Sequence, residues 1–140
     1  MRLWEVIDPE RVVFLLSRDK LGALSEMVEV AAQSAGPLDK QAVLKGLQQR
    51  EESLSSRISE RIAFPHLQLP AFGRMVVVVG RSDAGVHYDA SEDGQVRLIF
   101  LILGDANVPD EHLALLSDIA ATLRDDHLVK RLLSAERPDD

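Results

Sequence analysis

The sequence contains no cysteine among its 140 residues. Disulfide bonds, zinc sites built on thiolates and cysteine nucleophiles are therefore excluded together, and such a chain suits a reducing cytoplasm. Basic residues are outnumbered by acidic ones, 16 to 23, which gives a formal net charge of −7. Sequence-independent binding to nucleic acid needs a basic face that displaces counterions, so we expect no nucleic-acid partner.

Long apolar runs are also lacking. Even long ones such as Met75 to Val79 and Leu98 to Leu103 are much shorter than the roughly 20 residues of a transmembrane helix, so we expect no membrane insertion. Residues 1–8 are interrupted by acidic side chains and lack the apolar centre of a signal peptide. We therefore expect a cytoplasmic protein. A length of 140 residues is typical of one domain, which predicts a single domain over 1–140.

The first third of the chain has the pattern of one strand and two helices. The apolar run 11–16 has strand length. Apolar residues at three- and four-residue steps from Leu21 to Ala35 predict a helix that Ser17 or Asp19 caps and that ends at Gly36-Pro37. Asp39 can cap a second helix, with an apolar stripe formed by Val43, Leu44 and Leu47.

The middle of the chain has the pattern of a sheet. The β-branched run in Met75–Val79 predicts a central strand covered on both faces. Residues 83–85 predict a turn, Val86, Tyr88 and Ala90 alternate as in a half-exposed strand, and Val96 to Leu103 predict a further strand.

Two apolar stripes close the sequence and predict two helices. They are Leu113 to Leu123 and Leu128 to Leu133, with Asp125 or Asp126 as a cap between them. The order is then one strand, two helices, three or four strands and two helices. This order predicts an α/β fold in which helices sandwich a mixed sheet, because both faces of the Met75–Val79 strand must be buried.

Four histidines offer reactive side chains. His66 follows the apolar segment 62–64 and Pro65, and the fixed φ of proline gives the imidazole a defined direction. His112 opens a predicted helix, where backbone N–H groups favour an anion, although a structural role is also compatible with that position. His87 lies on the polar face of a predicted strand and His127 lies at the start of a predicted helix, so we expect both to be hydrated surface residues.

Several kinds of site have no support in the sequence. The chain has no His-x-His or HExxH pattern and no histidine pair one helical turn apart, so we expect no metal. It has neither a Gly-x-Ser-x-Gly elbow nor a glycine-rich phosphate loop, so we expect no serine triad and no nucleotide cofactor. A hydrolase or metal enzyme is the least favoured reading.

The order of several dispersed motifs is more specific than any of them alone. The motifs are Arg50-Glu51, Ser55-Ser56, Ile62-Ala63-Phe64-Pro65-His66, Asp93-Gly94 and His112-Leu113. From about Val12 to Leu133 the chain resembles the enzyme IIA domain of the fructose, mannitol and nitrogen-regulatory branch of the bacterial phosphotransferase system. The resemblance implies the fold of that domain and phosphoryl transfer through histidine.

The resemblance also implies roles for individual residues. His66 matches the histidine that the family phosphorylates, His112 the companion histidine, Arg50 the arginine near the phosphoryl group, and Ser56 a hydroxyl position that is usually threonine. The implied donor is a histidine-containing phosphocarrier protein, and the implied recipient is enzyme IIB or a regulated target protein. Neither a metal nor another cofactor is implied.

The sequence departs from the family pattern close to His66. Residues 56–61 read Ser-Arg-Ile-Ser-Glu-Arg where the family is rich in glycine, and Leu67-Gln68 replace a small and a basic residue. Side chains at these positions could narrow access to the histidine. In an extended segment Arg57 and Arg61 would share a face and could contact the phosphoryl group, but they could equally be solvated surface residues.

Two functional hypotheses follow from this resemblance and these departures. The first is a phosphocarrier that accepts a phosphoryl group on His66, of the nitrogen-regulatory type because no sugar-transport or enzyme IIB segment is attached. It is a component of a transfer chain rather than a self-contained turnover enzyme. The alternative is a degenerate enzyme IIA-like module that binds and regulates a partner protein without carrying phosphate, as the altered residues 57–61 and 67–68 would suggest.

Overall fold

The computed structural model of the chain describes residues 8–34, 37–53, 55–57, 61–70, 72–88, 96–107, 109–122 and 131. A short 3-10 turn, Pro9–Arg11, precedes the first strand. The strands are β1 (Val12–Phe14), β2 (Ile62–Ala63), β3 (His66–Leu69), β4 (Val76–Val86) and β5 (Val96–Asp105). The helices are α1 (Lys20–Ser34), α2 (Lys40–Ser53) and α3 (Pro109–Thr122). The helix predicted over 128–133 and His127 lie outside the described residues, apart from Arg131, which is helical.

The first two helices begin where the sequence predicts. The Asp19 carboxylate accepts a hydrogen bond from the backbone N–H of Gly22 at 2.6 Å, and Asp39 accepts one from Ala42 at 3.1 Å. Both are side-chain caps that satisfy N–H groups of the first turn. The apolar stripe of α1 starts later than predicted, because Leu21 is 45% exposed. The buried face of α1 consists of Ala23, Leu24, Met27, Val28 and Ala31.

The five strands form one mixed sheet in the order β1-β4-β5-β2, with β3 also paired to β5. β1 runs parallel to β4, β4 and β5 are antiparallel, and β2 and β3 run parallel to β5. The predicted central position of the Val76–Val79 segment is confirmed, since β4 has a neighbour on each side and all four valines are buried.

One local prediction was wrong. Residues 83–85 do not form a turn between two strands, because β4 continues to Val86, which pairs with Val96 on β5. The register shifts between Arg81 and Val86, and Gly85 has a φ of +88°. The turn signal in the sequence therefore marks a bulge-like irregularity within a strand, where glycine permits the left-handed conformation. Residues 89–95, which include Ala90 and the Asp93-Gly94 motif, lie outside the described residues.

Helices cover both faces of the sheet, as the strand and helix order predicts. Alternate residues of β4 and β5 point to opposite faces, because the side-chain period of a strand is two. Val76, Val78, Ile99, Leu101 and Leu103 pack with α1 and α2. Val77, Val79, Leu98, Phe100 and Ile102 pack with Leu115 and Ile119 of α3. The result is a mixed α/β domain with two apolar layers.

Candidate functional site

His66 is presented by an interrupted edge strand. β2 pairs with β5 at Leu98 and Ile99, and β3 resumes the pairing at Ile102 opposite His66. Between them, the carbonyl of Pro65 accepts a hydrogen bond from the N–H of Ile102 at 3.0 Å. Proline has no N–H to donate and is tolerated at a sheet edge for that reason. The interruption places the half-buried His66 at the first position of β3.

Arg50 lies beside the imidazole of His66. Its Nη2 is 3.0 Å from Nε2 of His66, while Nδ1 of the ring is 3.2 Å from the carbonyl oxygen of Phe64. A guanidinium has only donors, so Nε2 is the acceptor and Nδ1 carries the proton that it donates to Phe64. The neutral tautomer in this arrangement has its lone pair on Nε2, facing Arg50.

The surroundings of His66 lower its pKa from the ordinary value. Burial disfavours the charged imidazolium and is the largest cause, and the positive charge of Arg50 acts in the same direction. The hydrogen bond to the Phe64 carbonyl and the negative charge of Glu51 oppose this shift. The ring is therefore held neutral at pH 7, which is the form able to attack an electrophile.

A glycine brings the helix of Arg50 close to the strand of His66. A β-carbon on Gly46 would lie 2.9 Å from Cδ2 of Leu67, the residue after His66. Gly46 and Arg50 are four residues apart on α2 and share a face. The absence of a side chain at position 46 thus lets α2 approach β3 and lets Arg50 reach His66.

Glu51, Ser56, Lys20 and Tyr88 form a polar cluster next to the histidine. Oε1 of Glu51 accepts a hydrogen bond from the N–H of Ser56 at 3.2 Å. The same oxygen forms an ion pair with Nζ of Lys20, also at 3.2 Å. The hydroxyls of Ser56 and Tyr88 are 2.7 Å apart. Nζ of Lys20 also lies 4.3 Å from the centre of the Tyr88 ring. The cluster ties the start of α1 to the end of α2, to Ser56 and to the end of β4.

His66, Arg50 and two members of the cluster, Glu51 and Ser56, open onto one hollow of about 500 Å³. It is lined by Gly46, Gln49, Arg50, Glu51, Ser53, Ser55, Ser56, His66 and Leu67. Three of the predicted site residues, His66, Arg50 and Ser56, therefore meet around one space that is large enough for a phosphoryl group and part of a partner's side chain.

The remaining predicted site residues are less fully placed. The backbone of His112 lies within α3, but its side chain is outside the described part of the chain. Arg61 is exposed and Arg57 is partly buried, and neither is among the residues that line the hollow. Arg57 pairs with Ala63 in an antiparallel bridge, and residues 58–60, on which the shared face of Arg57 and Arg61 depends, are outside the described residues. The phosphate contacts of Arg57, Arg61 and His112 stay predictions.

Sequence reasoning missed three members of the cluster as site residues: Lys20, Tyr88 and Glu51, the last of which entered only as part of the Arg50-Glu51 motif. Tyr88 is the only tyrosine of the chain and lies on the apolar face of its predicted strand. A buried tyrosine hydroxyl needs a hydrogen-bond partner, so this position could have been marked as one end of a polar contact. Nothing in the sequence points to Ser56 as the other end.

His87 is exposed, as its position on the polar face of the strand predicts. Within the described ranges, no set of three or more histidine, aspartate or glutamate side chains is arranged to hold a metal ion. The helices in those ranges include none with the length and apolarity to cross a membrane.

The fold and the site together define a class: an α/β domain that presents a half-buried histidine and an adjacent arginine to a hollow of about 500 Å³. The family model for "Phosphoenolpyruvate-dependent sugar phosphotransferase system, EIIA 2" matches residues 5–140. The chain belongs to this family.

Two relatives and two solved structures give the extent of the similarity. The chain is 31% identical over 123 residues to the fructose-specific EIIABC component of Bacillus subtilis, covering 88% of this chain and 19% of that protein. It is 31% identical over 136 residues to the nitrogen regulatory protein of Pseudomonas aeruginosa, covering 96% of this chain and 88% of the relative. The chain therefore spans about a fifth of the first relative and most of the second.

The solved structures share the fold. Nitrogen regulatory protein IIA-Ntr from Neisseria meningitidis matches with a TM-score of 0.85 and 22% identity, over 96% of this chain and 92% of that one. The complex of enzyme IIAMTL and phosphorylated enzyme IIBMTL from Escherichia coli contains a chain that matches with a TM-score of 0.75 and 20% identity. The match covers 95% of this chain and 92% of that one.

Proposed function

We propose that the protein is a phosphocarrier that accepts a phosphoryl group on Nε2 of His66. The observation that carries this proposal is the contact between Arg50 and His66 at the edge of the hollow. It places a nucleophilic lone pair and a fixed positive charge within hydrogen-bond distance of each other. Phosphoryl transfer depends mainly on such positioning and on stabilisation of negative charge.

The transfer needs no proton to move on the acceptor ring. The P–N bond of a phosphohistidine donor breaks and its electron pair stays on the donor nitrogen, while the lone pair of Nε2 forms the new bond to phosphorus. Nδ1 keeps the proton that it donates to Phe64, and this hydrogen bond fixes the ring orientation throughout. The lowered pKa of His66 favours this chemistry because it keeps Nε2 unprotonated at pH 7.

Arg50 has a different partner in each state of the proposed cycle. In the free protein its guanidinium donates to Nε2. A phosphoryl group on Nε2 takes the place of that contact, and the guanidinium can then donate two parallel hydrogen bonds to phosphoryl oxygens. The hydroxyl of Ser56 lines the same hollow and can donate to a third oxygen. His112, Arg57 and Arg61 are further predicted contacts.

The proposed donor is a histidine-containing phosphocarrier protein, and the proposed recipient is an enzyme IIB or a regulated target protein. The Escherichia coli enzyme IIAMTL that shares this fold was solved with phosphorylated enzyme IIBMTL. The match to the Pseudomonas aeruginosa nitrogen regulatory protein along most of both chains supports the nitrogen-regulatory type. The proposal places the protein in the cytoplasm, which suits a chain without cysteine.

The test is phosphorylation with a complete donor system. The protein is incubated with phosphoenolpyruvate, enzyme I and a cognate phosphocarrier, and an acid-labile gain of one phosphoryl mass is measured. We expect the gain in the wild type and in the exposed-histidine control His87→Ala, and none in His66→Ala. Because hydrogen bonds to charged groups contribute about 1.5–3 kcal/mol, Arg50→Met should slow transfer roughly 10- to 100-fold.

The alternative of a regulatory binding module without phosphate predicts a different outcome. With a donor system that phosphorylates a known acceptor, an unmodified wild-type protein would contradict the phosphocarrier proposal and favour this alternative. Arg57, Ser59 and Arg61, which stand where the family that the chain resembles has glycine, would then be the first residues to replace in order to find what prevents phosphorylation.

A further inference from the structure

The hydroxyl of Ser56 is in hydrogen-bond contact with a buried side chain, that of Tyr88. Its Oγ lies 2.7 Å from the hydroxyl oxygen of Tyr88, a residue that is 3% exposed. The backbone of Ser56 is fixed as well, since its N–H donates to Glu51 and its carbonyl accepts from the N–H of Phe64 at 3.1 Å. Ser56 is thus anchored at three atoms while its side chain borders the hollow.

The contact between two hydroxyls leaves the direction of one proton to be decided. If Ser56 donates to Tyr88, its only proton points away from the hollow. If Tyr88 donates instead, the serine proton is released to turn into the hollow and donate to an anion. The ordinary pKa of a phenol is about 10, far below that of an aliphatic alcohol, so a phenol is the stronger donor.

Lys20 strengthens the preference for Tyr88 as the donor in this hydrogen bond. Its ammonium lies 4.3 Å from the centre of the Tyr88 ring and is paired with Glu51 at 3.2 Å. A cation over the face of an aromatic ring attracts its electrons, which makes the phenolic O–H a better donor. The same ammonium therefore contacts both neighbours of Ser56: the carboxylate that accepts from its N–H, and the ring of the tyrosine whose hydroxyl contacts its Oγ.

We propose that Tyr88, supported by Lys20, is a positioning residue that donates to Oγ of Ser56 and so directs the Ser56 proton to a phosphoryl group on His66. This inference rests on the proposed function. It assigns a role in phosphate recognition to two residues that lie outside the lining of the hollow and act through Ser56.

The test is a double-mutant cycle between Tyr88→Phe and Ser56→Ala. Phenylalanine keeps the ring, its packing and its contact with Lys20 and removes only the hydroxyl. A neutral hydrogen bond contributes about 0.5–1.5 kcal/mol, so we expect Tyr88→Phe to slow phosphorylation of His66 roughly 2- to 10-fold when Ser56 is present. In the Ser56→Ala background we expect Tyr88→Phe to have no further effect on the rate.

A second readout does not depend on phosphorylation. Inorganic phosphate is titrated into each variant, and binding is followed through the ring resonances of His66. The same pattern is expected, with affinity reduced by Tyr88→Phe only when Ser56 is present. Ser56→Thr keeps a hydroxyl and should retain the response to Tyr88→Phe. Ser34→Ala removes a remote hydroxyl that donates to Val30 and should behave as wild type in both measurements.

The outcomes separate the two proposals. An equal effect of Tyr88→Phe in both backgrounds, or no effect at all, would overturn the positioning role, and thermal unfolding of each variant shows whether an equal effect is merely lost stability. Coupling in the phosphate titration without phosphorylation of the wild type would contradict the phosphocarrier proposal, and it would sustain the positioning of the Ser56 proton only toward a bound phosphate ion. A wild type that neither binds phosphate nor accepts a phosphoryl group would contradict both.

Discussion

Gly46 on α2 and Leu67 on β3 pack with no side chain between them, so that a β-carbon on the glycine would lie 2.9 Å from Cδ2 of the leucine. One helical turn further along, Arg50 reaches Nε2 of the residue before Leu67. The close approach of the helix and the contact between the two functional side chains are therefore parts of one arrangement.

The first prediction enlarges Gly46. We expect Gly46→Leu to lower the free energy of unfolding by at least about 1 kcal/mol, because a larger side chain must displace Leu67 or push α2 from the strand. The gain in helix propensity over glycine offsets only part of this loss. Combining it with Leu67→Ala should recover stability relative to the sum of the single changes. Chemical denaturation measures all three variants.

The neighbouring Lys45 provides the control for this prediction. It is exposed on the same helix, and Lys45→Leu should change the free energy of unfolding by no more than about 0.5 kcal/mol. A Gly46→Leu variant as stable as Lys45→Leu would show that the space between α2 and β3 is not limiting.

The second prediction concerns the charge of Arg50. Replacing it with methionine removes a positive charge and a hydrogen bond that both favour neutral His66, so the pKa of His66 should rise. NMR titration of the ring resonances measures the change. The exposed charge on Lys45 is again a matched control, since Lys45→Met removes a cation from α2 without removing the contact. An unchanged or lowered pKa in Arg50→Met would contradict the assigned geometry.

The third prediction follows from the lowered pKa of His66. Between that pKa and the ordinary value of about 6.5, the unfolded chain binds a proton that the folded chain does not bind, so stability decreases as the pH falls through this interval. His66→Gln removes this contribution. Urea unfolding from pH 7.5 downward should therefore show wild type losing stability faster than His66→Gln.

The control for this pH experiment is Gln48→Ala, which replaces an uncharged residue on the exposed face of α2. Its stability should depend on pH as that of the wild type does. If wild type and His66→Gln changed in parallel with pH, burial and Arg50 would not be disfavouring the charged imidazole.

The fourth prediction compares two adjacent glutamates. The Glu51 side chain is 5% exposed and binds both Lys20 and the N–H of Ser56. Glu51→Ala should cost about 1–3 kcal/mol of unfolding free energy, because it leaves these donors without their acceptor. The exposed Glu52 should tolerate alanine with a change within about 0.5 kcal/mol. Thermal or chemical unfolding distinguishes them, and equal effects would contradict a structural role for the Lys20–Glu51 pair.

Much of the fold could be predicted because its signals are local. The β-branched Val76–Val79 run predicts a central strand whatever the rest of the chain does, and Asp19 and Asp39 each cap an N–H group three residues further along the chain. The turn predicted at residues 83–85 was wrong for the same reason, since glycine and aspartate favour a positive φ locally but do not decide whether pairing with β5 resumes beyond them.

The sequence by itself determined the continuous apolar run of the central strand, the starts of the first two helices and the position of His66 directly after Pro65, because each depends on neighbouring residues. Only the tertiary structure decided that Arg50 donates to Nε2 of His66 and that Tyr88 meets Ser56. These contacts join residues sixteen and thirty-two positions apart, and they form only when packing of α2 on β3 and of Ser56 on the end of β4 brings them together.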